Sequence, residues 1–117
     1  MVQFICYPKC TTCQKAKAWL DAKGVECEIR DIKLDNPTYA EIKKWYHEND
    51  YELKRFFNTS GLLYKSMELK SRLPAMPEEE QLRLLATDGM LVKRPIVVVG
   101  DKVLVGFKEK EWAEVFK

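Results

Sequence analysis

Tyr7-Pro8-Lys9-Cys10-Thr11-Thr12-Cys13 sets two thiols three residues apart, between an apolar run (Val2, Phe4, Ile5, Cys6) and a stretch of helical periodicity that begins near Thr11. The apolar run, short and rich in β-formers, predicts a buried strand over residues 2–6. From about Thr11 to Lys23, Ala16, Trp19 and Leu20 recur on one face, and Gly24 is placed to stop the helix in a left-handed conformation. Cys10 then sits at the mouth of a helix and Cys13 one turn inside it. Unpaired N–H groups and the positive end of the helix dipole favour a thiolate there, and such sites lower a cysteine pKa from about 8.5 to roughly 3.5–7.5. Side chains three apart on a helix are close enough for one distorted first turn to bridge them. Cys10 therefore reads as the attacking thiol and Cys13 as the resolving thiol.

Further along, Val25 to Ile32 predicts a second strand, with Val25, Cys27 and Ile29 alternating inward against Glu26, Glu28 and Arg30. Strand, helix, strand over about thirty residues is a βαβ unit, whose right-handed crossover makes the strands parallel. The middle of the chain is helical. Thr38 and Glu41 form a capping box for a helix to Glu48 with Ile42, Trp45 and Tyr46 on its apolar stripe. Tyr51 to Phe57 reads as a short helix, and Leu62 to Leu73 as one or two more, ended by Pro74. Pro77 suits a first helical position, and Leu82, Leu84 and Leu85 carry that helix to a stop at Gly89. Strand signals return in Ile96 to Val99 and Lys102 to Val105 around a Gly100-Asp101 turn, and Glu109 to Phe116 closes the chain as a helix. The order is βαβ, a helical middle of about 35–89, then ββα.

The 117 residues suit one domain, 1–117, able to bury roughly 65% of its unfolded surface. A formal charge of +2 with interspersed signs excludes a nucleic-acid tail. No apolar run approaches the ~20 residues of a membrane span, and no signal-peptide pattern opens the chain, so a cytoplasmic location is expected. In that reducing compartment a CxxC is catalytic or metal-binding rather than a permanent staple. The other candidate ligands are Cys6 and Cys27, both in strand patterns, and the lone His47 among helix charges. That set lacks the second closely spaced pair of a structural zinc site, so no metal is expected. Arg94-Pro95 opens the third strand, a position where proline is tolerated and a cis bond is available. Arg94 there can steady a thiolate or hold an oxyanion. Arg55, in a helical pattern, reads locally as a solvated side chain, and Phe56 and Phe57 as core.

Cys10-Thr11-Thr12-Cys13, Phe56-Phe57-Asn58-Thr59-Ser60-Gly61 and Lys93-Arg94-Pro95-Ile96, in that order, resemble the glutaredoxin-type arsenate reductase family, whose superfamily includes the Spx transcriptional regulators. The resemblance spans essentially the whole chain. It implies an α/β, thioredoxin-like fold: a mixed sheet in a core of about 1–34 and 90–117, a helical insertion between strands 2 and 3, and a cis bond before Pro95. By similarity, Cys10 matches the cysteine that attacks arsenate, and Arg55 and Arg94 match two arginines that hold the oxyanion. A third arginine of those enzymes falls on or near Gly106, and losing one guanidinium weakens an oxyanion site by roughly 1.5–3 kcal/mol. Lys108 can replace it only as a point charge. Cys13 is shared with Spx rather than with the glutathione-dependent reductases.

Two functions follow from the resemblance. One is a thiol-dependent oxidoreductase with no bound cofactor, recycled by an external reductant (thioredoxin, glutaredoxin or glutathione) and acting as a monomer. The other is an Spx-like redox regulator that docks on RNA polymerase, at the C-terminal domain of its α chain, without touching nucleic acid directly. The regulator ranks second, because Spx carries a longer C-terminal tail than this chain, which ends at Lys117.

Overall fold

A four-stranded mixed sheet, ordered β2-β1-β3-β4, divides the protein. The structure is a computed structural model and describes residues 2–117; Met1, the first residue of the expected domain span, lies outside it. Strands β1 (Val2–Cys6) and β2 (Cys27–Asp31) are parallel, joined by helix α1 (Thr11–Ala22). Strand β3 (Ile96–Val99) runs antiparallel to β1, and β4 (Lys102–Val105) antiparallel to β3 across the two-residue Gly100-Asp101 turn. Between β2 and β3 come α2 (Tyr39–Glu48), α3 (Leu62–Ser66), α4 (Leu69–Arg72) and α5 (Glu78–Leu85); α6 (Glu109–Val115) follows β4. This is the thioredoxin-like arrangement that the resemblance implied.

Because strand side chains alternate, the sheet supports two cores. On one face Phe4, Cys6, Val97 and Leu104 pack with Cys13, Ala16 and Leu20 of α1 and Trp112 of α6. On the other, Ile5, Ile96, Val103 and Val105 pack with Ile42, Phe56, Leu69, Leu82 and Leu85 of the insertion. Trp112 is fully buried and its indole N–H donates to Gly106 O at 3.0 Å. Burying a side chain of that kind contributes roughly 1.5–3 kcal/mol, and the N–H bond avoids an orphaned donor.

The local signals act as expected where they are self-contained. Gly24 sits at φ +72, with Gly24 N–H on Asp21 O and Val25 N–H on Leu20 O, both at 3.0 Å, which is the Schellman stop for α1. Thr38 and Glu41 form the reciprocal capping box of α2. Elsewhere packing shifts the boundaries. Strand β2 starts only at Cys27 because the Val25 N–H closes the helix, and it ends where Asp31 accepts from Lys33 and Leu34 N–H. Ile29, expected inward, is 53% exposed, because β2 is an edge strand. Arg30, expected to face solvent, is instead clamped by Glu41 through two bonds of 2.8 and 2.9 Å and by Asn36 O.

Helix boundaries also differ. Tyr51 to Phe57 forms only a 3₁₀ turn over Leu53–Phe56, because Phe57 bridges Val92 and the chain is drawn out extended. Pro74 does end the helical run as expected, α4 stopping at Arg72 and a separate 3₁₀ turn, Leu73–Ala75, following it. Pro77 caps α5 from outside rather than entering it, and α5 ends at Leu85, with Asn36 Nδ2 donating to Ala86 O at 2.8 Å. Gly89 is therefore no helix stop. A Cβ there would lie 1.7 Å from Ile32 O, so glycine permits two backbones to touch where the insertion returns to the sheet. Gly89→Ala is expected to lower stability by about 3 kcal/mol, since neither backbone can yield. Gly24→Ala, with open space around it, should cost only about 1 kcal/mol for its positive φ. Urea denaturation of the two variants checks this; equal midpoints would contradict the close-approach reading.

Candidate active site

Strand β1 delivers the chain to the site. After Cys6 the backbone turns through Tyr7, Pro8 and Lys9, with Cys10 N–H on Tyr7 O at 2.9 Å and the Gln14 amide clasping Pro8 O at 3.0 Å. Cys10 is the N-cap of α1 in extended conformation (φ −83, ψ 122), and its carbonyl accepts the first helical bond from Gln14 N–H. Cys10 is half-buried, while Cys13, one turn on, is 2% exposed with Tyr7 N–H directed at its sulfur at 3.5 Å.

The two sulfurs are driven apart electrostatically. Burial of Cys10 alone would raise its pKa. The Cys13 backbone N–H, the Cys13 thiol and the hydrogen bond and charge of Arg94 together outweigh it, and Cys10 lies below the ordinary thiol range. Burial pushes Cys13 up to about 12; the Tyr7 N–H opposes this, and the neighbouring negative charge on Cys10 adds to it. Cys6 and Cys27 are raised too, chiefly by burial. Of the four thiols only Cys10 is lowered, and the next along the helix holds its proton.

Arg94 precedes the cis peptide bond to the buried Pro95. Its guanidinium lies over the Tyr7 ring, 5.1 Å from the centroid, a cation–π contact. Its Nε and Nη1 are buried and have no partner within the protein. Buried guanidinium donors are rarely left unsatisfied, so this pair is poised for an acceptor from outside. Arg55 is differently placed. It donates to Val105 O through Nε and Nη2 at 3.3 and 3.0 Å, pairs with Glu111 at 2.9 Å and stacks on Tyr51 at 4.5 Å. Arg55 and Arg94 line one cleft with Cys10, yet only Arg94 has free donors among the described residues.

That cleft, about 640 Å³, also takes in Thr12, Asn58, Ser60, Lys93, Gly106 and Lys108. The 3₁₀ turn carrying Arg55 is held against the approach to β3 by Lys93 N–H on Phe56 O at 2.7 Å and Asn58 N–H on Leu91 O at 2.8 Å. Gly106 N–H on Pro95 O at 2.8 Å ties in the loop after β4. Sequence reasoning located Cys10, Cys13, Arg94 and Arg55, but not Tyr7 beneath the guanidinium, Lys93 in the cleft, or Glu111 on Arg55. A partner 56 residues away leaves no local signal. Among the described residues no His, Cys, Asp and Glu side chains cluster in a group that could hold a metal; His47 is exposed beside Glu78. Nor is any described helix long and apolar enough to cross a membrane.

The same architecture recurs in known proteins. A family model described as the ArsC family matches residues 6–115. The chain is 50% identical over 111 residues to an uncharacterized protein, YusI, of Bacillus subtilis (strain 168), covering 95% of this chain and 94% of YusI. It is 30% identical over 114 residues to the regulatory protein MgsR of the same organism, covering 97% and 89% of the two chains. A solved structure from Streptococcus mutans, described as a possible arsenate reductase, superposes with a TM-score of 0.88 at 40% identity, covering 97% of this chain and 98% of that one. With the family match running from the last residue of β1 to the end of α6, the chain belongs to the ArsC family.

Proposed function

We propose that the protein is a thiol-dependent oxidoreductase of the reduced cytoplasm, monomeric, in which Cys10 attacks and Cys13 resolves. The observation that carries this reading is the pairing of a Cys10 thiol held below its ordinary range with a protonated Cys13 behind it, under an arginine with free donors. The Cys10 thiolate attacks one sulfur of a disulfide substrate, forming a mixed disulfide and expelling the other sulfur as a thiolate. Two of the influences on Cys13 then vanish, because the sulfur of Cys10 no longer carries charge or accepts the Cys13 proton. Cys13 can now lose its proton and attack the sulfur of Cys10, releasing the second thiolate and leaving a Cys10–Cys13 disulfide. An external thiol reductant of the thioredoxin, glutaredoxin or glutathione type restores both thiols. With arsenate the adduct is a Cys10 sulfur–arsenic bond formed with loss of water, and the same attack by Cys13 passes two electrons to arsenic.

A second reading is supported by the likeness to MgsR, a regulatory protein. In it the same pair is a redox switch, and the partner is the C-terminal domain of the RNA polymerase α chain.

Alkylation tests the first step. A lowered pKa gives Cys10 a larger thiolate fraction than the other three thiols at any one pH, so iodoacetamide should label it ahead of Cys6, Cys13 and Cys27, slowing as pH falls through its midpoint. Arg94→Ala should move that midpoint up toward the ordinary thiol range; an unmoved profile would remove Arg94 from the mechanism.

Mild peroxide followed by mass analysis should link Cys10 to Cys13 and leave Cys6 and Cys27 free. Cys13→Ser should stall at the mixed disulfide, and Cys10→Ser should lower reductant consumption with arsenate or a disulfide at least about a thousandfold. A Cys6–Cys27 bridge, or an active Cys10→Ser, would sink the assignment.

For the regulator, the purified protein should retain the polymerase α domain in one redox state and release it in the other. Absence of binding in both states rules that reading out.

A further inference from the structure

The cleft over Cys10 is more spacious and more varied in character than a single tetrahedral oxyanion needs, and its charge is one-sided. At about 640 Å³ it falls in the range that encloses whole small molecules. Among the described residues, Lys93, Arg94 and Lys108 line it without any ion pair, and Arg55 alone is neutralised, by Glu111. No carboxylate lines it. The remaining wall is largely apolar, with Leu62, Met90 and Phe107, and Leu62 is 86% exposed, a large apolar side chain left uncovered at the cleft.

Gly106 shapes this arrangement. It holds φ +78, and a Cβ there would stand 3.1 Å from Lys93 Cε. Any side chain at 106 would push against the Lys93 stem, so the bare glycine leaves Lys93 its course into the cleft. The chain thus has an ammonium on a flexible stem where an arginine would have given a rigid fork. A point charge on a flexible stem can follow an anionic group whose position varies, where a fork holds its partner in one bidentate geometry.

We infer that the cleft takes as substrate the disulfide of a small, carboxylate-bearing thiol, with its carboxylates among Lys93, Arg94 and Lys108 and its aliphatic part against Leu62, Met90 and Phe107. This rests on the reading of Cys10 as nucleophile. The reaction is the one balanced above: the two protein thiols give up two electrons, the substrate disulfide becomes two thiols, and for such a substrate the reset falls to an external dithiol of the thioredoxin or glutaredoxin type, since glutathione only runs the exchange backwards. Charge selects the substrate because each carboxylate meets an unpaired cation in a partly enclosed site, where charge-assisted hydrogen bonds are about twice as strong as neutral ones.

Single turnover separates the possibilities. Reduced protein is mixed with oxidised glutathione (anionic), hydroxyethyl disulfide (neutral) or cystamine (cationic), and oxidation of Cys10 is timed by acid quench and mass analysis. Each rate is divided by that of mercaptoethanol thiolate with the same disulfide, which removes intrinsic reactivity. The normalised rate with oxidised glutathione should exceed that with hydroxyethyl disulfide by about tenfold, with cystamine slower still, and the gap should narrow as salt rises. In the double variant Lys93→Gln/Lys108→Gln the preference should fall to about twofold or less, while Lys33→Gln, on the exposed turn after β2, should keep it. Equal normalised rates for all three disulfides, or faster turnover of arsenate than of oxidised glutathione, would overturn the inference and leave the redox reading standing. No reaction with any disulfide or with arsenate would overturn both.

Discussion

A half-buried sulfur at position 10 has its pKa drawn below the ordinary thiol range against the tendency of its own burial. Burial opposes the charge, and the balance is reversed by donors from the first turn of α1 and by the guanidinium of Arg94. None of these could act on a mobile loop. The sulfur is pinned because the strand before it is locked in the middle of the sheet and the helix after it is packed on that sheet through Ala16 and Leu20. The cation is pinned because it immediately precedes a buried proline at the start of the strand beside β1.

The helical insertion has a part in this beyond filling the second face. Its backbone bonds to the run before Pro95 bring Asn58 and Arg55 to the cleft that Cys10 and Arg94 share. The insertion closes by touching: Gly89 lies against Ile32, and Asn36 reaches across to Ala86. The clamp of Arg30 on Glu41 secures the entry to the insertion. It holds Glu41 below the ordinary carboxylate range, chiefly through the hydrogen bonds from Arg30. Two oppositely charged side chains therefore stabilise the edge of the sheet where Arg30 was expected to face solvent.

Much of the frame was legible because its determinants lie within a few residues of one another. The Cys10 position at a helix mouth, the Gly24 stop, the Thr38–Glu41 box and the Gly100–Asp101 turn each depend on neighbours in the chain. The illegible features depend on neighbours in space. Ile29 alternates correctly and is still exposed, because alternation does not reveal that its strand is an edge. Arg55 looks like any solvated cation until Val105 and Glu111 are brought beside it.

The amino-acid sequence by itself determined the element order, the placing of two cysteines at a helix mouth and the arginine before proline, since these follow from periodicity, capping and spacing along the backbone. Only the tertiary structure decided which cations remain free in the cleft and which thiol keeps its proton. Those outcomes are set by burial and by charges far away along the chain, and both act through space within a few ångströms, where distance along the chain has no bearing.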